Sequence, residues 1–157
     1  MVKFLKFVKW ALLISAVLIV GAQVIRPART NPSVDQSLSI ENQMKVEPQV
    51  ESIIERSCFD CHSDKTVWPW YSNVAPVSWF LINHVNEGRQ HLNFSQWGQY
   101  NQNRRRARLK DICEQVKSRE MPLSSYTPLH PNSKLTEDDI GTLCNWANSD
   151  PNSSTKP

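Results

Sequence analysis

The chain has 157 residues, enough for one ordinary domain and little more. A formal charge of +3 with 21% charged residues is too slight to argue for a nucleic-acid partner. The four glycines, Gly21, Gly88, Gly98 and Gly141, are too widely spread to build a GxGxxG turn or a P-loop, which excludes a Rossmann or Walker nucleotide site.

Lys3, Lys6 and Lys9 precede an uncharged apolar run from Trp10 to Ile25, which Arg26-Pro27 ends. Sixteen helical residues reach about 24 Å, a little short of a hydrocarbon core of about 30 Å. Phe7 and Val8, with Lys9 snorkelling, bring the run near spanning length. Residues 1–26 therefore read as an N-terminal membrane anchor. The alternative is a signal peptide cut near Val20-Gly21-Ala22, although the apolar run continues past that point. The lysines keep the amino terminus in the cytoplasm by the positive-inside rule, so both readings place the chain beyond Arg26 on the exported, periplasmic side.

Residues 27–46 carry Pro, Ser, Asn and Gln without periodicity and read as a flexible tether. A domain is expected over 47–150, followed by a disordered tail at 151–157. From Pro48, the residues Val50, Ile53, Ile54 and Ser57 predict a helix with one stripe. A loop, Trp68-Pro69-Trp70-Tyr71, comes after it. A helix of about 15 residues is predicted from Pro76, with Val77, Phe80, Leu81, His84 and Val85 on its apolar face. A short helix from Phe94 to Tyr100, capped by Ser95, comes next. Residues 103 to 119 form another helix on Leu109, Ile112, Cys113 and Val116. In the last helix Thr136 is the N-cap with Asp139 three residues on, and Leu135 and Ile140 staple its start. No segment sustains period-two alternation, so the fold class is all-α.

The sharp signal is Cys58-Phe59-Asp60-Cys61-His62. Two thiols three apart at a helix end can both reach the vinyl groups on one edge of a porphyrin. A histidine directly after the second thiol is carried under the iron as the proximal ligand. In a chain with four histidines, one falls at that position by chance in about 2–3% of cases. A thioredoxin-type pair would want a βαβ setting, and a zinc site a second pair at similar spacing; Cys113 and Cys144 are too far apart to supply it.

For the sixth iron position Met121-Pro122 is the candidate, in an irregular loop that leads to the last helix. His84, His91 and His130 are the competitors. The predicted site is one covalently attached haem c held by Cys58, Cys61, His62 and Met121, with the iron between His62 and Met121.

These segments resemble the bacterial haem-binding domain family of membrane-anchored, c-type-cytochrome-like proteins. The residues that carry the likeness are Cys58-Phe59-Asp60-Cys61-His62-Ser63, Trp68-Pro69-Trp70-Tyr71-Ser72, Ala75-Pro76-Val77-Ser78-Trp79, Asn83-His84-Val85, Leu92-Asn93-Phe94-Ser95, Glu120-Met121-Pro122 and Leu129-His130-Pro131. The order of attachment helix, Met-Pro and terminal helix is that of small monohaem cytochromes. The resemblance implies haem binding in a small cytochrome-c-like helical domain and makes the aromatic loop a haem wall.

A mean hydropathy of -0.48, despite the apolar leader, leaves the rest of the chain thin in aliphatic side chains. A buried porphyrin of several hundred Å² would supply apolar burial at about 25 cal/mol per Å². Trp68, Trp70, Tyr71, Trp79 and Trp146 are candidates to line it. Cys113 and Cys144 read either as buried thiols or as a disulfide. The run Arg104, Arg105, Arg106, Arg108 and Lys110 reads as a solvated face or as a docking surface for an acidic partner or anionic lipid. The expected function is one-electron transfer with an as yet unidentified redox partner protein, not catalysis. The alternative is a haem sensor or peroxidase-like protein with an open sixth site, served by His84 or His130.

Overall fold

The structure, a computed structural model, describes residues 2–149. The tail expected at 151–157 lies outside them. Among the described residues there are seven α-helices, four 3-10 turns and no strand, so the all-α class holds. The helices are α1 (Val2–Ala22), α2 (Ile40–Gln43), α3 (Pro48–Ser57), α4 (Phe59–His62), α5 (Val77–His91), α6 (Gln102–Lys117) and α7 (Glu137–Asn148).

The chain divides into two compact units. Among the described residues, one holds those up to Thr30 with Trp68–Asn86, and the other holds Asn31–Val67 and those from Glu87 to Ser149. In the first unit, α1 is apolar and long enough to cross a membrane over Lys3–Ala22. Its 21 residues reach about 31 Å. The helix begins earlier and ends earlier than the predicted run from Trp10 to Ile25, because the spaced lysines do not interrupt helical geometry whereas Gln23 turns back on it. The Gln23 side chain donates to the Ile19 carbonyl at 2.9 Å.

The second unit carries the hydrophobic core. Val50, Ile53 and Ile54 of α3 and Leu109, Ile112 and Val116 of α6, as their stripes predicted, share this core with Ile140 and Leu143 of α7. Thr136 and Asp139 form the reciprocal capping box: the Asp139 amide donates to Thr136 Oγ1 at 3.1 Å, and the Thr136 amide to Asp139 Oδ2 at 2.8 Å. Arg56 of α3 closes on Asp139 Oδ1 at 2.7 Å, which ties the two helices outside the core. Cys113 and Cys144 are joined as a disulfide between α6 and α7.

Several expectations need correcting. Packing starts before Glu47: within the stretch read as a tether, Ile40 is 1% exposed and joins the core. The pattern gave no hint because the helices there are only a turn or so long. Gly98 admits them, since a β-carbon there would stand 2.9 Å from the Leu38 side chain. The turn Phe94–Gln99 is 3-10, and Asn93, not Ser95, caps it by accepting from the Ser95 amide at 2.9 Å. On α5 the buried residues are Ser78, Ile82 and Val85, whereas Val77 and Phe80 are exposed. Trp146 lies in the core, and Trp97, which the pattern did not single out, is fully enclosed there. Of the basic run, Arg104 stacks over the Tyr100 ring, Arg105 donates to the Tyr100 carbonyl, and Arg108 and Lys110 pair with Asp111 and Glu114.

Candidate functional site

The five residues from Cys58 to His62 bridge two helices. Cys58 closes α3, its amide donating to the Ile54 carbonyl at 2.9 Å, and its own carbonyl accepts from Cys61 at 3.1 Å and His62 at 2.9 Å to start α4. Phe59 points into the core, 8% exposed, against Phe94 with ring centroids 5.6 Å apart. That single apolar anchor sets the rotation of the one-turn helix. Asp60 holds the loop beyond that helix: Oδ1 accepts from the Val67 amide at 2.9 Å, and its carbonyl accepts from Thr66 Oγ1 at 2.7 Å. With positions 59 and 60 so occupied, Cys58, Cys61 and His62 remain half-buried, and both thiols are free.

His62 is oriented by the end of α5. Its Nδ1 lies 3.0 Å from the Gly88 carbonyl oxygen and 3.1 Å from that of Leu92. Two acceptors at one nitrogen require the hydrogen to sit on Nδ1, which leaves Nε2 with its lone pair as the ligating atom. Burial holds the imidazole below its ordinary pKa, against the pull of the two carbonyls toward the charged form. A neutral ring is what a metal requires.

Gly88 matters in a second way that sequence reading missed. A β-carbon there would stand 2.5 Å from the Cys61 carbonyl oxygen, so only glycine lets α5 approach the Cys58–His62 turn this closely. Behind it Arg89 donates from Nε to the Ser63 carbonyl and from Nη2 to Thr66 Oγ1, each at 2.8 Å. Asp64, 3% exposed, accepts from Asn93 at 2.8 Å and Gln96 at 3.0 Å. The loop leaving His62 is thus held by buried polar groups, each with a partner.

The thiols are not poised as thiolates. Burial, with the neighbouring Cys61 thiol adding to it, pushes Cys58 up to about 12 against the opposing charge of Arg56. Burial and then the Asp60 carboxylate push Cys61 up to about 11 against Arg89. A redox dithiol depends on a lowered thiol pKa, as a zinc site depends on deprotonated sulfur, and this pair has neither advantage. Carbon–sulfur bonds to a porphyrin edge leave no charge to bury. The donor set therefore fits a haem: two neutral sulfurs beside an imidazole whose outer nitrogen is committed.

Met121 sits just past α6, half-buried. Arg119 adopts a left-handed φ of 62° there. The amides of Glu120 and Met121 both turn back to the Gln115 carbonyl, at 3.1 and 3.2 Å, which stops the helix and fixes the backbone of Met121. The loop that continues from Met121 is joined to the Cys58–His62 turn by Tyr126, whose hydroxyl donates to Asp60 Oδ2 at 2.6 Å. His130 stacks on Tyr126 with centroids 4.0 Å apart. His84 and His91 are exposed. Among the predicted site residues, the structure thus gathers Cys58, Cys61 and His62 into one turn and connects the Met121 loop to that turn through Tyr126.

No curated protein and no solved structure matches the chain. A family model, the haem-binding domain, matches residues 17–149, which takes in α3, α4, the end of α5 and the Met121 loop. The chain belongs to this haem-binding domain family.

Proposed function

We propose that the protein is a membrane-tethered c-type cytochrome that carries single electrons on the periplasmic side of a bacterial membrane. One haem is attached through Cys58 and Cys61, with His62 as one axial ligand and Met121 as the other. The observation that carries this reading is the double acceptor at His62 Nδ1, which presents Nε2 of a neutral ring one residue after the second free thiol. When bound, the haem supplies a one-electron couple, and a thioether ligand such as Met121 favours the ferrous state.

The protein's own residues supply attachment, orientation and compartment. Gly88 and Leu92 fix the His62 ring, and Phe59 fixes the turn beneath it. The Cys113–Cys144 disulfide supports an oxidising, exported location for the second unit, where c-type haem is attached. Helix α1 supports a tether to the membrane, with the spaced lysines on the cytoplasmic side. The redox partner is a separate protein, and the iron with two protein ligands does no bond chemistry.

The test is the haemochrome spectrum of the membrane fraction from a host that matures c-type cytochromes. The expected result is haem that stays with the chain in denaturant, lost in the Cys58→Ala, Cys61→Ala double variant. The ferric protein should show the weak long-wavelength charge-transfer band of sulfur-ligated low-spin haem, and Met121→Ala should abolish it. A colourless chain with free thiols sinks the proposal. A high-spin ferric protein that binds cyanide readily replaces the carrier with the open-site sensor or peroxidase.

A further inference from the structure

The exposed face of α5 has no occupant among the described residues. Val77 and Phe80 are 47% and 68% exposed, and Val74 and Trp70 just before them are 43% and 76% exposed. In the same stretch Ser72 and Ser78 are buried. A segment that turns serine inward and tryptophan and phenylalanine outward keeps its apolar side for something beyond its own interior.

The same compact unit shows what lies beside it. The segment is bound to the exit of α1 by three connections. Gln23 donates from Nε2 to the Ala75 carbonyl and accepts from the Ala75 amide, both at 3.0 Å. The Trp79 indole donates to the Ile25 carbonyl at 2.8 Å. Arg29 donates to Ser72 Oγ at 3.2 Å. Gln23, Ile25 and Arg29 lie within seven residues of the end of the apolar helix, so in a membrane they stand near the depth of the headgroups. Val24 and Ile25 are themselves 84% and 63% exposed.

We propose that Trp70, Val74, Val77 and Phe80 form a membrane-lying collar around the exit of α1, seated at the boundary between headgroups and acyl chains. The inference rests on the anchor reading of α1 and adds a second, peripheral contact to it. Aromatic rings favour that boundary because one face is apolar and the rim tolerates water. Arg26 and Arg29 come directly after, where anionic headgroups are met. The anchor then passes into a folded, lipid-bound segment and not into a free tether.

Site-directed nitroxide labelling of the full-length holoprotein in phosphatidylcholine–phosphatidylglycerol vesicles tests this. Phe80→Cys reports the collar, Leu12→Cys the anchor and Glu137→Cys, in the exposed first turn of α7, the aqueous reference. With haem on Cys58 and Cys61 and the disulfide intact, each variant offers one thiol. The expected result is a several-fold preference for collisions with oxygen over a water-soluble nickel complex at both Phe80 and Leu12, and none at Glu137. A lipid signal at Leu12 with a water signal at Phe80 overturns the collar alone. A water signal at Leu12 overturns the anchor reading and the collar with it. Strong relaxation of the Phe80 label by ferric iron, without oxygen preference, assigns the patch to the haem and also overturns the proposal. Trp70→Cys repeats the measurement at the other end of the patch should the Phe80 variant fail to take up haem.

Discussion

The carbonyl oxygen of Cys61 lies only 2.5 Å from where a β-carbon on Gly88 would stand. The same glycine gives its carbonyl to His62 Nδ1 at 3.0 Å. One residue of α5 therefore sets both how near the helix comes to the Cys58–His62 turn and which way the imidazole faces. Gly88→Ala should push the two backbones apart, at a cost of about 1–3 kcal/mol for overpacking, and lower the yield of attached haem. Gly141→Ala is the control. Nothing lies within 4 Å of its would-be β-carbon in the interior of α7, so it should stabilise the fold by about 0.5–1 kcal/mol with haem yield unchanged. Chemical denaturation and absorbance per chain measure both; equal effects at the two glycines would contradict the geometry.

Tyr126 connects the Met121 loop to the Cys58–His62 turn. Tyr126→Phe removes the hydroxyl and leaves Asp60 Oδ2 without that donor. A hydrogen bond to a charged group contributes about 1.5–3 kcal/mol. If the loop loses about 1.4 kcal/mol of its hold, an external ligand such as imidazole should displace Met121 about tenfold more readily. Titration of the ferric protein with imidazole reads this directly. A purely structural role for Tyr126 would lower the melting temperature and leave the titration unmoved.

The disulfide between α6 and α7 closes a loop with a sequence separation of 31. Restricting the unfolded chain over that length is worth about 3–4 kcal/mol. The Cys113→Ala, Cys144→Ala double variant should unfold at correspondingly lower denaturant, while its haem spectrum at low denaturant stays as it was. A stability equal to that of the parent would mean that the pair is reduced in the mature protein.

Asp139 carries the acid sensitivity of the α3–α7 junction. Burial raises its pKa, but the Thr136 amide, the Arg56 guanidinium and the Thr136 hydroxyl together outweigh burial and hold the carboxyl below its usual value of 3.8. The unfolded chain therefore takes up this proton at a higher pH than the folded chain does. Its stabilising contribution is fully present above about pH 4 and fades as the pH falls through the lowered folded value. Asp139→Ala should cost about 1–2 kcal/mol at neutral pH through the lost cap and ion pair. The gap between parent and variant should narrow on acidification below about pH 4, as followed by urea denaturation at a series of pH values.

What could be read from sequence differs from residue to residue for physical reasons. The α7 capping box was legible because Thr136 and Asp139 satisfy one another within a single turn. The grouping of Cys58, Cys61 and His62 was legible because residues spaced three and four apart come together within a single helical turn. The periodicity of α5 announced a helix, but not which side of it would be buried, since Val77 and Phe80 recur with the same period as Ser78, Ile82 and Val85.

The sequence by itself determined the helical class, the apolar leader and the pairing of two thiols with a histidine. These depend on local periodicity and on atoms that lie within a turn of each other. Only the tertiary structure decided that Gly88 and Leu92 orient His62, that Tyr126 reaches Asp60, that Cys113 meets Cys144, and that Phe80 faces outward beside the exit of α1. Those relationships join residues far apart in the chain. They arise from how the packed helices meet, which no local pattern encodes.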